Sequence, residues 1–142
     1  EQHIKAAMQQ EVADAVKDEM VEQIDKVVYD AYEPYNLAGT DHHYHRTYEL
    51  KNKDNMEATM IDNNTLAVEN IRKDEESGRY TTPVIVDGKD YEWGKNSGYV
   101  RDLDAEIGAR DFIQGTREGL STSKAHVKAL KDALKKQGIR VE

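Results

Sequence analysis

Apolar side chains recur at every fourth position in the first part of the chain, among Ala, Glu, Gln, Lys and Asp. No Gly or Pro interrupts residues 2–33, so the pattern predicts one long helix that ends before Pro34. A spacing of four exceeds the about 3.6 residues of an α-helical turn, so the apolar stripe should walk around the axis and meet different neighbours. The stripe consists of Ile4, Met8, Val12, Val16, Met20, Ile24 and Val28.

The two halves of this helix differ in apolar content. Val21, Val27 and Ala31 add to the second half, which we expect to pack on a sheet. The Gln-rich first half has fewer apolar residues, and it is either a contact with another subunit or an exposed, frayed start. A heptad coiled coil is disfavoured, because it requires an average spacing of about 3.5.

Alternating apolar and polar residues follow in two runs, 56–62 and 65–72, on either side of Asn63 and Asn64. Because Asn tolerates positive φ, this pattern predicts an antiparallel hairpin with a tight turn at the two asparagines. Side chains two positions apart share a face of a strand, so one face of the hairpin should be apolar and buried. The residues of that face are Met56, Ala58, Met60, Leu66 and Val68.

The apolar run 83–86 precedes the turn residues Asp87 and Gly88 and predicts a third strand, followed by a long excursion to about Gly108. The excursion carries three aromatic residues with two possible roles. They either anchor a partner protein or cover the open end of a small core. These residues are Tyr91, Trp93 and Tyr99.

Helical spacing of apolar residues returns over 109–137. Residues 119–123, Gly-Leu-Ser-Thr-Ser, have low helix propensity in the middle of this stretch and predict a break there, with Ser121 or Thr122 capping a second helix. Gly138 is placed to end that helix in a left-handed conformation, and residues 139–141 alternate as a short edge strand would.

These elements predict an α+β fold, with the long N-terminal helix and the C-terminal helix packed on a small antiparallel sheet of three or four strands. The length of 142 residues fits a single domain over 1–142. Its parts are an N-terminal helix (1–35), a sheet with long loops (46–108), and a C-terminal helix with a short strand (109–142).

Composition suggests that one copy is not a complete assembly. Only 37% of residues are hydrophobic and 34% are charged, so an isolated chain is expected to complete its burial against partners. The absence of Cys excludes disulfides and thiolate zinc sites. No run approaches the about 20 apolar residues of a membrane span, so no membrane partner is expected.

Charge is distributed unevenly along the chain. The net charge of −8 argues against a surface that binds duplex nucleic acid. Residues 110–142 nevertheless hold eight basic and four acidic side chains, whereas the remainder holds twelve basic and twenty-four acidic ones. An acidic body with a basic C-terminal helix can pair head to tail with further copies; the alternative is a basic helix face that is simply solvated.

Candidate chemistry is sparse. The chain has no phosphate-binding loop, no nucleophile elbow and no zinc-protease motif, so we predict no catalytic residue, no cofactor and no enzyme activity. Asp41, His42, His43 and His45 carry atoms that can bind a metal ion. Consecutive histidines on one loop point in different directions, so no metal site is predicted there.

Several short motifs occur in a fixed order along nearly the whole chain. A long helix leads to Tyr44-x-Arg46-Thr47-x-x-Leu50, and a Pro-Val-Ile-Val-Asp-Gly strand with an aromatic turn follows. Ala-Arg-Asp-Phe-Ile, with Asp111 where Pro is usual, then starts a helix, and Gly-Ile-Arg-Val follows that helix. This series resembles the head–tail joining (neck, tail-completion) proteins of long-tailed bacteriophages.

The resemblance implies a non-enzymatic virion component that forms a homo-oligomeric, six-fold ring between tail and capsid connector. The implied partners are other copies of the chain, head-completion or connector proteins, and tail-terminator or tail-tube proteins, with DNA passing through the lumen. The acidic body of the chain separately predicts a negative lumen that repels DNA and lets it pass. Assembly would take place in the host cytoplasm, and the product would lie in the neck of the virion. Candidate interaction residues are Arg46, Thr47, Tyr91, Trp93, Tyr99 and Phe112.

Alternative interpretations stay open. Arg46 and Thr47 can serve as a structural junction between loop and sheet, since Arg forms forked bonds to carboxylates and Thr bonds to backbone. The whole chain can also be an adaptor that binds a protein through its aromatic excursion. A small metal-dependent enzyme that uses the loop from Asp41 to His45 is the third and weakest interpretation.

Overall fold

The computed structural model describes residues 2–30, 48–74, 78–87 and 109–141. Helix α1 covers 2–29 as four consecutive segments, which are α-helical Gln2–Ala7, π-helical Met8–Val12, α-helical Ala13–Gln23 and π-helical Ile24–Tyr29. Short 3₁₀ turns, Glu49–Lys51 and Lys53–Asn55, precede the strands β1 (Met56–Asp62) and β2 (Thr65–Asn70). Three helices complete the described part: α2 (Thr81–Asp87), α3 (Phe112–Ser123) and α4 (Ala125–Lys136).

The predicted α+β class is confirmed: the chain is mostly helical with a small antiparallel sheet. In the described ranges that sheet has two strands, not three or four. No helix in these ranges has the length and apolar character needed to cross a membrane.

Much of the apolar stripe of helix α1 is buried. Val12, Met20, Ile24 and Val28 are all buried. Two π-helical segments lie within α1, and their i→i+5 hydrogen bonds give wider turns than the α-helical turn assumed from the sequence. The bond from the Asp30 N–H to the Asp25 carbonyl, at 2.8 Å, has this spacing.

The prediction that α1 meets different neighbours along its length is confirmed. Its first half packs on α4, where Ala7 lies against Ala133 and Leu134, with Ile139 and Val141 packed on the same cluster. Its second half packs on α3 and the hairpin. The main core forms there from Met20, Ile24, Val28, Leu50, Met56, Ile85 and Phe112.

The hairpin occurs where it was predicted, and a β-bulge sets its faces. The register pairs Met60 with Leu66 and Asp62 with Thr65, which leaves Ile61 as the extra residue. Without this bulge, Met60 would lie opposite Ala67, and the apolar residues of the two strands would point to opposite faces.

The turn of the hairpin differs from the expectation in its backbone conformation. Neither Asn63 nor Asn64 has positive φ. Residues 63 and 64 still form the turn, and the Asp62 carboxylate stabilises it by accepting a hydrogen bond from the Asn64 N–H at 3.0 Å.

The third strand predicted over 83–86 is wrong, because these residues lie in helix α2. Pro83 lies in the first turn, where a missing backbone N–H has no helical partner to lose. Ile85 is buried in the main core, and its carbonyl accepts a hydrogen bond from the Arg110 N–H at 2.9 Å.

The C-terminal region breaks once, as predicted, but at Lys124 rather than at Ser121 or Thr122. Lys124 adopts a left-handed conformation with φ of 56°, and the Ser123 hydroxyl accepts a hydrogen bond from the Ala125 N–H. Gly138 has φ of 81°, which confirms the predicted left-handed cap. The edge strand predicted over 139–141 does not form.

Helices α1 and α3 approach closely at two glycines one turn apart. The Glu19 and Gln23 side chains, joined by a 3.0 Å hydrogen bond, occupy the space beside Gly115 and Gly119. A Cβ atom at position 119 would lie 1.7 Å from Glu19 Oε1 and 2.7 Å from its Cδ. The glycine therefore makes room for the Glu19 side chain at the crossing.

We expect Gly119→Ala to raise the free energy of unfolding by up to about 1 kcal/mol in a Glu19→Ala background, through the gain in helix propensity. The end of the flexible Gln23 side chain, 3.1 Å from the added Cβ, then has to shift only slightly. In the wild-type background the displaced Glu19 side chain should offset this gain. Thermal unfolding of the four chains of this double-mutant cycle measures the coupling. Equal effects of the alanine in both backgrounds would contradict the close approach.

Candidate interaction surface

The predicted interaction residues fall mostly outside the described ranges. Arg46, Thr47, Tyr91, Trp93 and Tyr99 belong to segments that the structure does not describe, so their roles stay predictions. The loop from Asp41 to His45 lies outside as well.

Phe112 is the one predicted interaction residue that is described, and it lies inside the core. Its side chain has an exposed fraction of 0% and packs with Met20, Ile24 and Ile85. Asp111 precedes it as the N-cap of α3, and its carboxylate accepts a hydrogen bond from the Gln114 N–H at 2.9 Å. In this fold, Phe112 therefore stabilises the contact between α1 and α3.

Two tyrosines that flank segment 31–47 in the sequence, Tyr29 and Tyr48, contact each other. The rings of Tyr29 and Tyr48 meet edge to face with centroids 5.0 Å apart. Tyr48 has φ of 59°, a conformation that is rare for a bulky residue and turns the chain into the first 3₁₀ turn.

Lys51 extends this tyrosine contact to an acidic group on α1. Its ammonium lies 5.7 Å from the centroid of the Tyr29 ring and 5.2 Å from that of the Tyr48 ring. It also forms a 2.9 Å ion pair with the Asp25 carboxylate. No sequence pattern marked this group, since its members are brought together only when the chain returns to α1.

Asn70, at the end of β2, is hydrogen-bonded to the first 3₁₀ turn, to the chain after β2 and to the start of α2. Its side-chain amide donates to the Leu50 carbonyl at 2.7 Å, and its side-chain oxygen accepts from the Arg72 N–H at 3.1 Å. Its own carbonyl accepts a hydrogen bond from the Thr82 hydroxyl at the start of α2. Asn70 is one of the buried polar residues, so these bonds replace its contacts with water.

Several acidic side chains on the solvent side of α1, called the acidic ridge below, form ion pairs with lysines of the same chain. Lys53 lies 2.6 Å from the Asp18 carboxylate and 3.9 Å from that of Asp14, while Lys26 pairs with Glu22 at 3.0 Å. The hydrogen bond to Asp18 is the main cause that raises the pKa of Lys53 above its usual value. This ridge ties the segment before β1 to the long helix.

The outer face of the hairpin carries two glutamates that have no ion-pair partner among the described residues. Glu57 and Glu69 are cross-strand partners, and both are exposed. Neither forms an ion pair with any residue of the described ranges. Like charges placed directly opposite each other destabilise a hairpin.

We expect Glu69→Lys to raise the free energy of unfolding by about 0.2–1 kcal/mol, because it converts a like-charge pair into an opposite-charge pair. Chemical denaturation at low salt measures the change. The gain should disappear when Glu57→Lys is added, since two lysines then face each other. A gain that persists in the double variant would have another origin.

A second charged surface lies along α4. Lys124, Lys128, Lys131 and Lys135 are spaced by four, three and four residues, which places them along one side of the helix. All four are exposed, and none has an ion pair within the described part of the chain. Ala133 and Leu134, away from this side, pack against α1.

Among the described residues, no group of three His, Cys, Asp or Glu side chains is placed to hold a metal ion. What the described surface offers is separated opposite charge together with exposed apolar residues.

Comparison with known proteins gives one result. A family model described as YomN matches residues 1–136. No curated protein and no solved structure shows significant similarity to the chain.

Proposed function

The chain belongs to the YomN family, a family of phage origin, and from this premise we propose that it is a non-enzymatic structural component of the virion. In this proposal, copies of the chain form a ring, six-fold in symmetry, in the neck. The ring connects the tail to the capsid connector during assembly in the host cytoplasm.

The observation that supports this role most directly is the segregation of charge on the described surface. A row of unpaired lysines on α4 and an unpaired glutamate pair on the hairpin are features of the same molecule. Opposite charges on separate surfaces favour association of a chain with further copies of itself. Such a contact is what a ring requires.

The proposed partners follow from this position in the particle. One side of the ring would contact head-completion or connector proteins, and the other side would contact tail-terminator or tail-tube proteins. The net charge of −8 suits a lumen that repels DNA and lets it pass.

Deletion of the reading frame from the phage tests this function. We expect lysates of the deletion phage to contain filled heads and complete tails that are not joined, as counted by electron microscopy. Addition of the purified chain should restore joining and plaque-forming particles. Normally joined particles in the deletion lysate, with no copy of the chain in purified wild-type virions by mass spectrometry, would contradict the proposal.

A further inference from the structure

We propose that neighbouring copies join through the lysine row of α4, which docks on the outer face of the hairpin of the next copy. The lysine row consists of Lys124, Lys128, Lys131 and Lys135, and the acceptor is centred on Glu57 and Glu69. This contact rests on the proposed function, since it supplies the joint by which subunits close a ring.

The lysine row is shaped for a partner that presents a linear acidic surface. Its four ammonium groups extend over about three helical turns, away from the buried Ala133 and Leu134. Asp132 is the one acidic residue of α4, so the helix itself holds little negative charge that could neutralise the row. Val127 lies beside the row and remains partly exposed, which adds an apolar contact.

The hairpin face presents the complementary features. Glu57 and Glu69 repel each other in the single copy, and a cation between them would relieve that repulsion. Ile61, placed at the bulge, has an exposed fraction of 69%, and Ile71 follows β2 with its side chain also exposed. Burial of these isoleucines against Val127 adds a hydrophobic contribution to the charge pairing.

The α1 ridge is the less suitable acceptor, although it holds more carboxylates. Asp14 and Asp18 already share Lys53, and Asp25 already pairs with Lys51. A lysine from another copy would have to displace these cations. The glutamate pair requires no such exchange, so the hairpin face gains more from a second copy.

The two surfaces belong to different elements, and in this proposal each copy uses its lysine row on one neighbour and its hairpin face on another, which makes the contact heterologous. The hairpin packs on the second half of α1, whereas α4 packs on the first half. A heterologous contact repeats from one copy to the next and closes a ring when the rotation permits. The same contact repeated without closure would give a filament.

A charge exchange tests the interface. One variant, the row variant, carries Lys128→Glu and Lys131→Glu; the other, the hairpin variant, carries Glu57→Lys and Glu69→Lys. A matched control reverses two exposed basic residues outside the lysine row, Lys136→Glu and Arg140→Glu. Sedimentation velocity over a concentration series at low and high salt measures the mass of each chain, and circular dichroism verifies that each is folded.

We expect the wild-type chain and the control to associate, with weaker association at high salt because exposed charges are screened. Each exchange variant alone should associate at least about tenfold more weakly, since like charges then meet at the contact. An equimolar mixture of the two variants should associate again. A single chain with all four substitutions should also recover association.

The outcomes separate this interface from the ring itself. Association that is unchanged in both variants, or that the mixture fails to restore, overturns the interface and leaves the proposed ring standing. A wild-type chain that stays monomeric at every concentration and does not join heads to tails overturns both.

Discussion

Phe112→Ala is expected to lower the free energy of unfolding of the isolated chain by about 3–5 kcal/mol. The Phe112 side chain is fully buried and fills the space between α1, α2 and α3, so its removal leaves a cavity beside Ile24 and Ile85. A loss of this size is a large fraction of the stability of a typical domain. Urea unfolding followed by circular dichroism measures it.

Two further variants test whether the loss of stability comes from the buried apolar volume of Phe112. Phe112→Leu keeps most of the apolar volume and should cost clearly less than Phe112→Ala. Val127→Ala removes a partly exposed side chain of α4 and should have a small effect in the isolated chain. If Phe112→Ala left unfolding unchanged while weakening association with phage proteins, the core position would be wrong and the predicted interaction role would be supported.

Elements with strong periodicity were predictable from the sequence. The alternation over 56–62 predicted the limits of β1 correctly. The absence of Gly and Pro over 2–33 indicated the continuity of α1, whose described helical part ends at Tyr29. The run at 83–86 was ambiguous, because four apolar residues have no distinguishing period and fit a buried helix as well as a strand. Its helical outcome depends on packing of Ile85 in the core.

Backbone irregularities explain what the sequence could not supply. The π-helical segments of α1 were not predicted, because nothing in the local sequence marks them. The bulge at Ile61 shifts the register by one residue and places Glu57 opposite Glu69 instead of Asn70. The unmatched acidic pair could not be inferred before that register was known.

The charged surface of α4 was more accessible to sequence reasoning. The excess of basic residues over 110–142 was visible directly, and helical spacing aligns four lysines of that excess. The contact between Tyr29 and Tyr48 could not be predicted from the sequence, since the fold brings together two residues that are distant along the chain. Charge patterns along one helix are thus easier to predict than contacts between distant segments.

Asn70→Ala is expected to lower the free energy of unfolding by about 1–3 kcal/mol, the second large effect. The change removes the group that donates to the Leu50 carbonyl and the group that accepts from the Arg72 N–H. The buried Leu50 carbonyl is then left without its hydrogen-bond partner, which costs free energy. Because Leu50 closely follows Tyr48 in the chain, the same change should also loosen the contact between Tyr29 and Tyr48 and the 3₁₀ turn beside it. Urea unfolding measures the first effect, and hydrogen exchange of the Glu49–Lys51 amides measures the second.

Asn70→Asp provides the matched comparison, because it keeps the shape of the side chain and the acceptor for the Arg72 N–H. At pH 7 the introduced carboxylate faces the Leu50 carbonyl without a proton to donate, so this variant should also be less stable than the wild type. Below about pH 4 the carboxyl group is protonated and can donate again. The stability difference from the wild type should therefore shrink as the pH falls, whereas the deficit of Asn70→Ala should not. If the difference in unfolding free energy between Asn70→Asp and the wild type did not depend on pH, the hydrogen bond from residue 70 to the Leu50 carbonyl would not be the source of the stability loss.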